Sequence, residues 1–155
     1  MIAPPAVSSP TRRMVFLSGM IDGLELAEAA AWRQRAAADL TQAGFDCYDP
    51  TRVMRAHPEG YRAAPMEVFT NDRWHLARAD VMLVNLDLPP TLETRHAPFF
   101  TIGEMFLAHQ AGLPVIVFGQ AFRGRAGYEA IVTRSFDDIA DALRYIIDHY
   151  GPAPL

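Results

Sequence analysis

The strongest constraint on this chain's fold is a set of short, unbroken apolar runs spaced a helix-length or a long loop apart. Met14-Val15-Phe16-Leu17, the stretch Asp80 to Leu86 and Pro114 to Phe118 show no polar alternation and end in turn-forming residues. Strands apolar on both faces belong to a parallel sheet covered on both sides. Two shorter strands are expected at Phe45 to Tyr48, stopped by Asp49-Pro50, and at Ile131 to Thr133. Between them the periodicity predicts helices over Leu24 to Ala43, Thr101 to Ala111 and Phe136 to Tyr150. A further helix runs to Ala79, opened either by Pro65 or by an N-cap at Thr70 or Asn71. Gln42-Ala43-Gly44-Phe45 and Gln110-Ala111-Gly112-Leu113 repeat one helix ending, glycine taking the left-handed cap and the next apolar residue packing back. Residues 51–64 and 87–100 read as long loops.

Strand and helix alternate five times, which implies a flavodoxin-like, Rossmann-like three-layer sandwich built on a five-stranded parallel sheet. Residues 13–150 form its single domain, after a loose proline-bearing arm at 1–12 and before a short tail at 151–155. Ligands of such sheets lie beyond the carboxyl ends of the strands. That places the residues of interest at Gly19 to Asp22, Asp49 to Arg52, Asn85 to Thr101 and from Gly119 onward.

Composition excludes several functions. All fourteen basic residues are arginine, so lysine Schiff-base chemistry and a P-loop are impossible. A net charge of −4 argues against a nucleic-acid backbone as partner. The five histidines have no metal-ligand spacing, and no segment approaches the ~18 apolar residues of a membrane span. The lone Cys47 and the absence of a signal-peptide pattern at the start suit a cytoplasmic protein.

Four motifs occur together: Phe16-Leu17-Ser18-Gly19 after the first strand, Asn71-Asp72 ahead of the run Ala79-Asp80-Val81-Met82-Leu83-Val84-Asn85-Leu86, then Thr101-Ile102-Gly103-Glu104, then Gly112-Leu113-Pro114-Val115-Ile116-Val117. In this order and spacing the chain resembles the nucleoside 2-deoxyribosyltransferase family, over about two thirds of its length. The resemblance implies retaining transfer of 2-deoxyribose between nucleobases. Glu104 matches the family's nucleophile, which attacks C1′ and forms a covalent deoxyribosyl-enzyme. Asp72 matches the aspartate that handles protons at the base. Gly19, Asp22, Asn85, Asp87 and Thr101 are the accompanying substrate-binding candidates.

Elementary chemistry agrees with those roles. Breaking an N-glycosidic bond develops positive charge on the sugar and negative charge on the base. One ionised carboxylate beneath C1′ and one proton donor at the base meet both needs. Glu104 in the first turn of its helix would be kept ionised by the helix dipole. A structural reading stands beside the catalytic one: Thr101-x-x-Glu104 is also a capping box, and Asp72 could simply complement a helix N-terminus.

The chain departs from the family pattern too. Where relatives carry a further aspartate six residues before the nucleophile, this sequence has Pro98; Asp87 or Glu93 could substitute. Met20 stands where relatives often have proline or serine. Asp22 would repel a phosphate, favouring unphosphorylated nucleosides. A nucleoside or nucleoside-monophosphate N-glycoside hydrolase is the enzymatic alternative, and a non-catalytic nucleotide-binding domain the other.

Tyr48, Tyr61 and Tyr128 are weaker candidates for touching a sugar or orienting the nucleophile, and Trp74, Phe99 and Phe100 for stacking a base. Arg52 and Arg55 could hold a phosphate; solvated loop arginines are commoner. No metal or organic cofactor is implied. The family's members complete each other's sites, which implies a homo-oligomer, with the 97–106 stretch and the C-terminal helix as interface.

Overall fold

In the computed structural model, which describes residues 11–57, 63–88 and 98–152, five strands form one parallel sheet. They are β1 (Met14–Gly19), β2 (Asp46–Tyr48), β3 (Val81–Asn85), β4 (Val115–Phe118) and β5 (Arg134–Phe136), in the order β2-β1-β3-β4-β5. Among the described residues six helices accompany them: α1 (Leu26–Gln42), α2 (Thr51–Ala56), α3 (Pro65–Leu76), α4 (Phe99–Gln110), α5 (Ala126–Ile131) and α6 (Ile139–Tyr150). The strand order reverses between β1 and β3, whose register pairs Ser18 with Val84 and Gly19 with Asn85.

The unbroken apolar runs are explained by two cores. Val15 and Leu17, Val81 and Leu83, and Ile116 and Phe118 pack with Ala36 and Leu40 of α1 and with Leu143 and Ile146 of α6. Phe16, Met82, Val84, Val115 and Val117 point the other way, onto Leu76 of α3, Met105 and Ala108 of α4, and Tyr128 and Ile131 of α5. Successive residues of a strand alternate faces, so a sheet buried twice needs apolar residues at every position. Both Gln-Ala-Gly endings form as expected, with φ of +96° at Gly44 and +78° at Gly112.

Several boundaries differ from the sequence reading. The first six residues of the supposed 51–64 loop are helix α2, because Asp49 accepts hydrogen bonds from the backbone nitrogen and hydroxyl of Thr51 (2.8 and 2.7 Å) and starts a helical turn. The strand expected at 131–133 lies three residues later. Ile131 instead ends α5, facing the second core, and β5 begins at Arg134. Pro65 is the first residue of α3, which removes the alternative start at Thr70 or Asn71. Asp138 caps α6 by accepting from the nitrogen of Asp141 (3.0 Å), whereas Asp137 pairs with Arg123 (2.7 Å). Of the expected arm only Thr11 and Arg12 are described, and the Arg12 guanidinium is tied to the carbonyls of Thr41 and Phe45 (2.8 and 2.7 Å). Among the described residues no helix is long and apolar enough to cross a membrane.

Candidate active site

Beyond the carboxyl ends of β1 and β2 the fold gathers a buried polar cluster. Ser18, the residue of β1 that faces α4, donates from its Oγ to Oε2 of Glu104 at 2.5 Å. Asp72 of α3 lies near enough to Glu104 for each carboxyl group to act on the other's charge, and it accepts from the Tyr48 hydroxyl at 3.0 Å. The Tyr48 ring stacks on His75, centroids 3.7 Å apart, and leans on Phe16. Glu104 is 6% exposed and Asp72 8%. Two carboxyl groups thus lie together, nearly dry, by the carboxyl end of β1, one of the two strands between which the order reverses. Open parallel sheets place their ligands there.

Their titration follows from that placement. Burial raises Glu104 to about 8; the Asp72 charge adds to this, while the Ser18 hydrogen bond and the Arg33 guanidinium oppose it. Burial also raises Asp72, against the pull of the Tyr48 hydrogen bond and of Glu104, His75 and Arg33. Two carboxylates in contact cannot both ionise cheaply, so the pair holds one proton between them near neutral pH. Burial raises the Tyr48 hydroxyl and lowers His75, leaving both neutral beside the pair.

Helix α4 begins at Phe99 with Pro98 as its N-cap, two residues before the expected start. Glu104 therefore lies in the second turn and Thr101 inside the helix. The capping box does not form, and the first-turn dipole does not hold Glu104 ionised, as the sequence reading expected. Asp72 is likewise deep in α3, where Glu67 is the acidic residue of the first turn. Both side chains turn inward because their helices present that face to the sheet.

The other candidates divide. Gly19 ends β1 where a Cβ would stand 2.9 Å from Trp32 and 3.2 Å from the Cβ of Asn85, so its smallness serves close packing. Asn85 accepts from the backbone nitrogen of Asp87 (2.8 Å) and orders the start of the following loop. Asn85 and Asp87 line a hollow of about 60 Å³ with Met20 and Trp32, outside the carboxylate cluster. Asp22 is exposed in the turn after β1; Thr101 is buried one turn before Glu104. Tyr128 is a packing residue whose hydroxyl bonds Ser135 (2.8 Å). Phe100 stacks on Phe69, Trp74 lies under Arg78, and Phe99 is exposed. Arg55 is bound to Asp49 at 2.7 Å, while Arg52 is exposed. Tyr61 and Glu93 lie outside the described residues.

Sequence reasoning assigned no role to Ser18 or Arg33. Arg33 is fully buried on the stripe of α1 that also carries Ala29, Ala30, Ala36 and Leu40. A charge at helical spacing among core alanines was the available signal.

Strand order and the two helical layers make this a flavodoxin-like α/β protein. More particularly, it has a nucleoside 2-deoxyribosyltransferase-like fold. A 2-deoxyribosyltransferase from Bacillus psychrosaccharolyticus aligns with a TM-score of 0.60 at 19% identity, covering 85% of this chain and 91% of that one. The 2-deoxyribosyltransferase of Leishmania mexicana aligns with a TM-score of 0.61 at 12% identity, over 89% and 99%. The solution structure of BlsM aligns with a TM-score of 0.61 at 19% identity, over 93% and 98%. No family model and no curated protein matches the sequence. At these identities the likeness is one of fold.

Proposed function

We propose that the protein is a retaining nucleoside 2-deoxyribosyltransferase in which Glu104 is the nucleophile and Asp72 the acid and base at the nucleobase. The observation that carries this reading is that the two carboxyl groups are buried side by side, each acting on the other's charge, so that the pair keeps a proton near neutral pH. Passing that proton from Glu104 to Asp72 produces an ionised nucleophile beside a protonated acid, the state the reaction requires.

A bound deoxynucleoside parts the pair, its C1′ over Glu104 and its base at Asp72. A Glu104 oxygen bonds to C1′ as the C1′–N bond breaks. The electron pair leaves with the base nitrogen, which takes the proton from Asp72. An incoming base then gives its N–H proton to the Asp72 carboxylate as its nitrogen attacks C1′ and Glu104 departs. Two inversions return the original configuration. Ser18 and Arg33 stabilise the Glu104 carboxylate each time it is released.

Unphosphorylated nucleosides fit better than nucleotides. Among the described arginines near the site, Arg33 is buried and Arg55 is bonded to Asp49, which leaves the exposed Arg52 of α2 as the cation a phosphate could meet. Asp22 is exposed near the end of β1 and would repel one. The aromatic and apolar side chains exposed on α3 and α4 (Met66, Trp74, Phe99, Phe100 and Phe106) suit burial against a second copy. None of the large exposed apolar side chains lies on α6.

The test is incubation with 2′-deoxyinosine and free adenine or cytosine, followed by chromatography, with Glu104→Ala as control. A new deoxynucleoside that vanishes with the variant is the expected result. Free base without exchange makes the protein a hydrolase. No reaction across purine and pyrimidine donors, with ligand affinity kept by the variant, overturns the enzymatic reading.

A further inference from the structure

Arg33 stands out among the buried polar groups as a cation with no exposed surface, carried by a helix that supplies no other member of the carboxylate cluster. Burying a guanidinium is expensive unless every donor finds an acceptor. Here its Nε reaches the carbonyl of Leu17 (3.4 Å), one terminal nitrogen that of Gly19 (2.6 Å) and the other that of Ala29 (2.5 Å). Asp49 lies 3.9 Å from Nε and is itself bound by Arg55. Leu17 and Gly19 flank Ser18, the residue that donates to Glu104. One planar fork therefore grips the backbone on either side of the serine that holds the proposed nucleophile. Packing alone does not require this, because an apolar side chain on that stripe would fill the space without the desolvation cost.

We propose that Arg33 is a positioning residue of the site: its guanidinium fixes the β1 end so that Ser18 meets Glu104, and its charge sets the field in which the carboxylate pair exchanges its proton. The role it serves rests on the transferase reading; the geometry does not. Burial lowers Arg33 itself to about 10, so it stays charged throughout the working range. The charge favours the ionised form of both carboxyl groups. Among the described residues, the other groups facing the pair are Ser18 from β1, Tyr48 from β2 and His75 from α3, with Arg52 of α2 acting on Tyr48 and His75. Lysine would keep the charge but not the fork that spans two carbonyls.

The experiment follows the carboxyl carbons of Glu104 and Asp72 by NMR across a pH titration, in wild type, Arg33→Lys and Arg33→Met, with Glu104→Gln to assign the signals. Arg33→Met is expected to raise the midpoint of the pair by about 1 unit or more. Arg33→Lys keeps the midpoint close to wild type, and its base-exchange kcat falls about 10-fold with KM little changed, because Ser18 is held less well. Arg33→Gln replaces Arg33→Met if the latter does not fold. A folded neutral variant with an unmoved midpoint overturns the proposal, as does Arg33→Lys shifting the midpoint as far as the neutral variant. The titration needs no turnover, so failure of base exchange alone counts against the transferase reading and leaves this test standing.

Discussion

The hydroxyl of Ser18 donates to the Glu104 carboxyl at 2.5 Å, joining the end of the first strand to the middle of a helix 86 residues further along the chain. Through this bond a small residue at a strand end acts on the charge of a buried carboxyl group. Burial raises Glu104, and Ser18 is the first of the influences that oppose it.

Removing that donor has a defined consequence. Ser18→Ala leaves Glu104 more firmly protonated, so base-exchange activity falls about 10- to 100-fold, the worth of one hydrogen bond to a charged group. The acid limb of the pH–rate profile moves to higher pH. A profile that drops in height without moving assigns the loss to packing instead.

Glu104 also makes stability depend on pH. Its folded value, about 8, lies above the ordinary 4.5, so the folded chain retains a proton that the unfolded chain has lost. Stability is therefore greatest below about 4.5 as far as this group is concerned, and declines as pH rises to about 8, by at most about 1.4 kcal/mol per pH unit. Glu104→Gln carries no such proton. Its Tm should gain on wild type steadily between pH 5 and 8, and a constant difference would show that the shift is absent.

Gly119, just beyond β4, tests the scaffold rather than the chemistry. Its φ is +104°, and a Cβ there would stand 2.1 Å from the backbone nitrogen of Asp87. Gly119→Ala must move the segment after β3 away from β4, costing about 2 kcal/mol or more in urea unfolding. A cost below about 0.5 kcal/mol would mean that the two loops are not locked together.

The sheet was legible from the sequence because its causes are local. A strand buried on both faces must be apolar at every position, so β1, β3 and β4 announce themselves, and the two glycine caps need only their own turn. Where neighbours compete, local reading failed: Asp49 turned the start of a loop into α2, and Ile131 served a helix rather than a strand. Glu104 and Asp72 were found as residue types at a spacing, yet the reasons offered for their placement were helix-end reasons. Chain order alone determined that two carboxylate-bearing helices would flank one parallel sheet. Only the tertiary structure decided that the carboxyl groups would meet there, with Ser18 and Arg33 setting their charge. Desolvation and contact between groups far apart in the chain arise from packing, and no window of sequence contains them.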